Sequence, residues 1–393
     1  MDLDAFRWLL SDEGKALLAR TAQVYDGRPQ HALDAATLLR READPEHVAA
    51  AMTQVELRHK ARVKFAGLAD SMFFTPDGLE QSTRLRVATH RAARVAAAAP
   101  SSVLDVGCGI GGDLVAFARA GLTVAGVDRD PLRVAVAAAN LDALGLGGAV
   151  QVADAESLDL SGFGVLFADP ARRTDRGRVF DVDAYAPSWA FVERLLHRPS
   201  VVKVAPGIPH DIVPAGVEAE WVSDEGDLKE ASLWSPQLAT VRRRATVIRP
   251  PGLATLTDED DPGERSVRAP QRFLYEPDDA VIRAGLVTAV AAGVNGGLVD
   301  EHIAYVTSDE AFTTPFARTY EVLESLPYKE KALKAALRAR GIGRLTIKKR
   351  GVDVVPEDLR RRLNLHGEQD ATLVLTRVEG RGTALLVRAL RTT

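Results

Sequence analysis

Between residues 100 and 250 short apolar runs alternate with helical stretches, and this alternation constrains the fold more than any other feature. "SVLDVG", "LTVAGVD", "AVQVADA", "GVLFADP" and "SVVKVAP" read as strands, with "GDLVAFARA" and "DPLRVAVAAANLDALG" as the helices between the first three. Val-rich strands without polar alternation are covered on both faces, which predicts a parallel sheet of βαβ units. "EAEWVSD", "KEASLW" and "RRRATVIR" follow as closer-spaced, partly antiparallel strands. Sheets of this kind bind ligands beyond the carboxyl ends of their strands, so the residues at those ends are the functional candidates.

The first strand runs into "VLDVGCGIGGD", where Gly107, Gly109 and Gly112 fit G-x-G-x-x-G and Gly111 joins the same turn. Such a loop turns a strand tightly into a helix and lets backbone approach a ligand, but alone it does not separate a dinucleotide from another nucleoside. Asp105 does. Two residues before the first glycine it sets a carboxylate where a dinucleotide would lay its pyrophosphate, and like charges in a poorly solvated cleft repel by roughly several kcal/mol. A ligand ending in an ammonium group suits the place better; S-adenosylmethionine (SAM), with its zwitterionic tail and sulfonium, is one. The competing reading of Asp105 is a buried cap of its own loop. Asp128 ends the second strand, 21 residues after Gly107, where a carboxylate can accept both ribose hydroxyls. Asp130 before Pro131 reads as a helix cap. Asp154 ends the third strand, placed for an adenine amino group or for an ordinary turn.

"LDVGCGIGG", "GVDRD", "VADAES" and "FADPAR" together resemble, in order and spacing, the class I SAM-dependent methyltransferases. The resemblance covers residues 100–250 and implies a Rossmann-like seven-stranded α/β domain with SAM held by Asp105, Gly107, Gly109, Gly111, Asp128 and Asp154. It also places Asp169 and Pro170 beside the transferred methyl group. The amino-methylating branch of the family carries Asp or Asn, Pro, Pro and an aromatic there; this chain has Ala171 and Arg172, without the ring that would stack on a base. "DPAR" is also similar to the "DPPR" of RNA 5-methyluridine methyltransferases. Those enzymes use a cysteine at the end of the fifth strand as nucleophile, and here that strand reads "VVKVAPGI" while the single cysteine, Cys108, sits in the glycine loop. What remains is in-line transfer to nitrogen or oxygen, with Asp169 as orienter and possible base and Arg172, Arg173 and Lys203 as candidate contacts to substrate phosphate; a surface loop is the other reading of the arginines. "FFTPDGLEQSTR" resembles a Thr-Pro segment that folds over the cofactor in trimethylguanosine synthases, which makes Thr75 a candidate contact. Plain helix capping at Asp77 is the alternative.

Outside this core, residues 1–98 read as a helical region, with Asp44–Pro45 starting one long helix and "LEQSTRLRVATHRAARVAAAA" forming another. "PPGLATLTDEDDPGERS" reads as a linker over 251–270. Residues 271–393 read as a compact α+β module, with a helix near 278–292 and a terminal hairpin at "ATLVLTRVEGRGTALLVRAL". The chain's net charge of −4 is split: residues 331–393 hold 15 Lys and Arg against 6 Asp and Glu, a net of +9, leaving −13 on residues 1–330. That asymmetry suggests a module that meets a polyanion, or else a solvated surface. Lys348, Lys349 and Arg350, with Arg360, Arg361 and Arg362, are the candidates to neutralise phosphates. The module, and "GIGRLTIKKRG" above all, resembles the THUMP-like domain of some bacterial methyltransferases, which implies structured RNA as partner.

One cysteine rules out an internal disulfide, and the eight histidines show no metal-ligand spacing, so no metal is expected. The N-terminus lacks the pattern of a signal peptide and no apolar run has membrane length, so a cytoplasmic location is expected. The reading is a SAM-dependent methyltransferase acting on tRNA or rRNA. The alternatives are a methyltransferase of a small molecule or protein, and a non-catalytic RNA-binding protein that keeps the cofactor fold.

Overall fold

The computed structural model describes residues 1–172, 185–186, 188–250, 252–264 and 266–390. Its contacts divide into two units, Met1–Glu218 with Ser232–Thr240, and Ala219–Ala231 with Val241–Thr393. Among the described residues no helix is long and apolar enough to cross a membrane.

The first unit opens with α1 (Leu3–Leu9), α2 (Asp12–Val24), α3 (Ala32–Leu39), α4 (Pro45–Phe65), α5 (Pro76–Gln81) and α6 (Leu85–Ala97). Asp44 caps α4 as its sequence predicts, accepting from the Glu46 N–H at 3.0 Å with Pro45 in the first turn. Where one helix is expected after "TPDG" there are two. Ser82 leaves the helical region at ψ 138° and its hydroxyl donates to the Gly78 carbonyl at 2.5 Å. A serine bonded back to the preceding turn offers the backbone an alternative to the helix. Phe6, Leu9, Leu39, Phe65, Met72 and Phe74 form one buried cluster that also takes in Ile110 and Val136. At about 1.5–3 kcal/mol for each fully buried large side chain, that shared core makes the N-terminal helices part of the same body as the glycine loop.

The parallel strands are β1 (Val103–Val106), β2 (Val124–Asp128), β3 (Ala149–Val152), β4 (Val165–Ala168) and β5 (Ser200–Val204). α7 (Gly112–Arg119) follows β1, α8 (Pro131–Ala143) follows β2, and α9 (Trp189–Leu196) precedes β5. They lie in the order β5-β4-β1-β2-β3. β1 and β4 are buried throughout, as their unbroken apolar sequence predicts, whereas β3 is the exposed edge. The chain reverses its winding between β1 and β4, and at such a switch point the strand ends open into a crevice.

β6 (Glu218–Asp224), β7 (Asp227–Trp234), β8 (Arg243–Arg249) and β9 (Gly252–Thr257) complete the sheet, in the order β9-β8-β6-β7-β5-β4-β1-β2-β3. It has nine strands where the family resemblance implies seven. The two additional strands are a hairpin on the β6 edge, β8 parallel to β6 and β9 antiparallel to β8. A β-rich segment beside an unpaired edge pairs with it.

The second unit holds a seven-stranded sheet ordered β11-β12-β10-β13-β16-β15-β14. Its elements are β10 (Phe273–Pro277), α10 (Asp279–Ala284), α11 (Val287–Gly293), β11 (Gly297–Asp300), β12 (Ile303–Ser308), β13 (Ala317–Pro327), α12 (Glu330–Ala339), β14 (Ile342–Lys349), α13 (Pro356–Leu363), β15 (Gln369–Val378) and β16 (Arg381–Ala389). The single helix expected near 278–292 is interrupted by Gly285, whose φ of +71° ends α10. The expected terminal hairpin turns at Glu379–Gly380, both at positive φ.

The sequence places a boundary at 250 and a linker over 251–270, but the contacts place Ala219–Ala231 and Val241–Arg249 with the C-terminal residues. The linker stretch itself carries β9 and a capping box at Thr257 and Asp260. The Ser266 carbonyl accepts from Leu298 N–H at 2.8 Å. Polar, Pro/Gly-rich composition marks irregular backbone as readily as a linker, and here hydrogen bonds to neighbouring strands fix it.

Candidate active site

After β1 the backbone passes through Gly107 at φ +82° and Gly109 at +55°, values that a residue with a Cβ seldom adopts. A Cβ at either position would meet nothing within 4 Å, so this stretch of backbone borders an open cradle. Gly111, also at positive φ, does other work. It caps α7, and a Cβ there would stand 3.1 Å from Ala137 on α8, so it is a packing position and is not among the residues that line the cavity.

The cradle opens into a cavity of about 270 Å³ bordered by five aspartates, Asp105, Asp113, Asp128, Asp154 and Asp169, with Arg129 and Arg133 as the lining cations. Asp105 is 2 % exposed, and its Oδ1 is buried without a hydrogen-bond partner. Burial first, then the nearby Asp113, Asp169 and Asp128, push its carboxyl well above the usual carboxylate range, against the pull of Arg91. Asp128 braces the loop as well as facing the cavity, since its Oδ2 accepts from Gly109 N–H at 2.9 Å and its Oδ1 from Asp130 N–H at 2.9 Å. Asp130 caps α8 through Leu132 N–H at 2.8 Å. Asp154 Oδ1 accepts from Arg129 at 2.6 Å and from Glu156 N–H at 3.1 Å. The Arg129 hydrogen bond, then the Glu156 N–H, hold its carboxyl below the usual range.

Asp169 stands just past β4, with the buried Pro170 behind it. Lys203 on β5 donates to its Oδ2 at 2.5 Å. Lys203, expected as a phosphate contact, is thereby a partner of Asp169, because adjacent parallel strands bring their ends together. Arg172 lies in a two-residue strand paired with Tyr185, and Arg173 lies outside the described residues. Cys108 borders the cavity, but burial, followed by the charges of Asp105 and Asp128, pushes its thiol up and away from thiolate chemistry.

Thr75 is not a cavity residue. Its hydroxyl accepts from Gly78 N–H at 3.0 Å, so Thr75, rather than Asp77, is the cap of α5. The residues of that segment that do border the cavity are Gly78, Gln81, Ser82 and Thr83. Two further residues went unread in the sequence. Gln54 on α4 exchanges two hydrogen bonds with Phe74 backbone, at 2.8 and 3.0 Å. Asn140 on α8 accepts from Phe73 N–H at 2.6 Å and donates to the carbonyls of Phe73 at 3.1 Å and Ile110 at 2.8 Å. Both are fully buried; a lone carboxamide inside the Ala/Val face of "LRVAVAAANLDALG" was the available signal.

In the second unit the basic candidates separate. Lys348 donates to Glu276 Oε2 at 2.7 Å, beside the Tyr320 hydroxyl, which donates to the same oxygen at 3.0 Å. Arg350 lies over the Tyr305 ring at 5.3 Å and 3.8 Å from Asp279. Both are candidates for phosphates in the sequence, where their acidic partners Glu276 and Asp279 lie about seventy residues earlier, and both are paired here. Arg360 donates to the Leu345 carbonyl at 3.0 Å, Arg361 pairs with Asp358, and Arg362 with Glu330. Lys349 is exposed.

An acidic cavity at a switch point, with an open glycine cradle and a buried carboxylate oxygen lacking a donor, fits a nucleoside that carries positive charge. SAM meets that demand: Asp105 would hold its ammonium, Gly107 and Gly109 its passage along the loop, and Asp128 its ribose. The comparisons with known proteins agree. Residues 103–196 match a methyltransferase domain, 317–389 a THUMP domain-like family, and 2–61 a domain of unknown function. An uncharacterized SAM-dependent methyltransferase of Mycobacterium tuberculosis is 36 % identical over 333 residues, spanning 82 % of this chain and 90 % of the relative. A solved methyltransferase candidate from Porphyromonas gingivalis W83, 22 % identical, shares the fold at a TM-score of 0.76 over 96 % of this chain and 99 % of that one. The chain belongs to the SAM-dependent methyltransferases, with a THUMP-like domain at its C-terminal end.

Proposed function

We propose that the chain transfers the methyl group to a nitrogen or oxygen of an RNA, tRNA or rRNA being the substrates that fit best. The observation that carries this reading is Asp169, a carboxylate one-third exposed at the mouth of the cofactor cavity and fixed by Lys203. SAM supplies an already activated methyl group. The protein's part is then proximity and orientation, which together can reach about 7–11 kcal/mol. Asp169 orients the nucleophile and accepts its proton, and Pro170 stiffens the backbone that carries it. The THUMP-like match and the net charge of +9 on residues 331–393 support RNA as the substrate class. Lys349 and the exposed arginines of α13 are the phosphate contacts under this reading.

One observation favours a small molecule or protein instead: Lys348, Arg350, Arg361 and Arg362 are engaged by acidic partners. The test is methyl-labelled SAM incubated with bulk tRNA and rRNA, followed by nucleoside mass spectrometry. Label in a single modified nucleoside, absent with Asp169→Ala, is the expected result. Label that stays in protein or small-molecule fractions would reject RNA, and RNA binding without any turnover would leave a non-catalytic scaffold.

A further inference from the structure

The cavity contains a second orphaned polar atom. Thr83 borders it, is 8 % exposed, and its Oγ1 is buried without a hydrogen-bond partner. A hydroxyl in that condition costs about 1–3 kcal/mol unless something outside the protein satisfies it. Its neighbours are already served: Thr75 caps α5 and Ser82 donates to Gly78. We infer that Thr83 recognises the amino-acid tail of SAM, its hydroxyl donating to the tail's carboxylate while Asp105 takes the ammonium. The inference rests on the cofactor assignment above and adds a residue to it.

The position of Thr83 points to that end of the cofactor. Asp128 ends β2 and Asp154 follows β3, on the ribose and base side, whereas Asp105 is on β1 and Asp169 just past β4. Thr83 precedes α6 by two residues, and α6 belongs to the β1–β4 side: its Arg91 pairs with Asp113 at the start of α7 and lies 4.7 Å from the Phe167 ring on β4. Ser82 leans on the same helix start, since a Cβ on Gly112 would come within 3.7 Å of its Oγ. The break between α5 and α6 thus has a use: it brings Ser82 and Thr83, neither of them in a helix, to the wall of the cavity. Carboxylate and ammonium of one amino-acid tail would then find a hydroxyl donor and a carboxylate acceptor, the two buried groups among those lining the cavity that lack partners.

The experiment compares two ligands on the full chain by calorimetry: S-adenosylhomocysteine, which has the tail, and methylthioadenosine, which does not. Thr83→Val keeps the shape and removes the hydroxyl. It should weaken S-adenosylhomocysteine about tenfold or more, as loss of a hydrogen bond to an ionised group implies, leave methylthioadenosine unchanged, and raise the melting temperature of the ligand-free protein slightly. Thr83→Ser should restore S-adenosylhomocysteine binding. Equal weakening of both ligands, or no weakening of either, would overturn the assignment of Thr83 alone. Absence of S-adenosylhomocysteine binding to the unaltered chain would overturn the cofactor reading with it.

Discussion

Asp105→Asn should make the ligand-free protein more stable and the cofactor weaker. The carboxyl of Asp105 is raised well above its ordinary value, chiefly by burial. The folded state therefore holds a proton that the unfolded chain, with a carboxyl near about 3.9, gives up. For such a group the stability is fully present below the unfolded value and is lost as pH rises toward the folded one, at about 1.4 kcal/mol per pH unit. Asparagine has nearly the same shape and cannot ionise, so the variant escapes this loss. Its melting temperature should exceed that of the parent by a margin that is small near pH 4 and widens as pH rises, at about 2–4 °C per kcal/mol. Binding goes the other way. The ammonium of S-adenosylhomocysteine loses its buried counter-charge, a change worth about 2–5 kcal/mol, and calorimetry should show at least a tenfold weaker complex. Melting curves with and without ligand between pH 4 and 8 check both signs in one series. A variant that melts lower at every pH and binds S-adenosylhomocysteine normally would refute the argument and return Asp105 to the role of a loop cap.

Asn140→Ala should destabilise the first unit by about 1–3 kcal/mol for each buried backbone group left unsatisfied at Phe73 and Ile110, and should weaken cofactor binding although Asn140 does not border the cavity; thermal melts and S-adenosylhomocysteine titration read the two effects. Lys348→Met and Lys349→Ala should part company. The first leaves Glu276 without its cation and lowers stability by about 1–3 kcal/mol, with little change in tRNA affinity per folded molecule. The second leaves stability unchanged, weakens tRNA binding and flattens its salt dependence, measured by filter binding across salt concentrations. Equal effects on RNA from both lysines would show that the Lys348–Glu276 pair opens in the complex.

The strand ends were readable because a single physical rule governs them: unbroken apolar runs mark buried parallel strands, and polar residues that close such runs face the crevice. Asp105, Asp128 and Asp169 are singled out by that rule, and all three border the cavity. Gly111 was legible as a glycine but not as a packing glycine, since the neighbour that demands it, Ala137, belongs to the next helix. Thr75 misled because Thr-Pro serves a helix cap and a cofactor contact equally well, and only the path of Ser82 and Thr83 separates the two. Lys348 misled for a different reason. Its partner, Glu276, lies 72 residues earlier, and a run of basic residues in sequence gives no sign of an acid brought up by a distant strand. The hairpin that takes the sheet to nine strands was hidden in part by its own composition, because β9 begins in a Pro/Gly-rich stretch that reads as a tether.

Gln54 holds the backbone of Phe74 and Asn140 that of Phe73, so two adjacent phenylalanines are fastened by different elements, one by an early helix and the other by the helix after β2. On the ribosome the wall that carries Thr83 therefore has only half its fastenings until well over a hundred residues have emerged. A nascent chain that stops before α8 lacks the Asn140 fastening, and a product that begins after α4 lacks the Gln54 one.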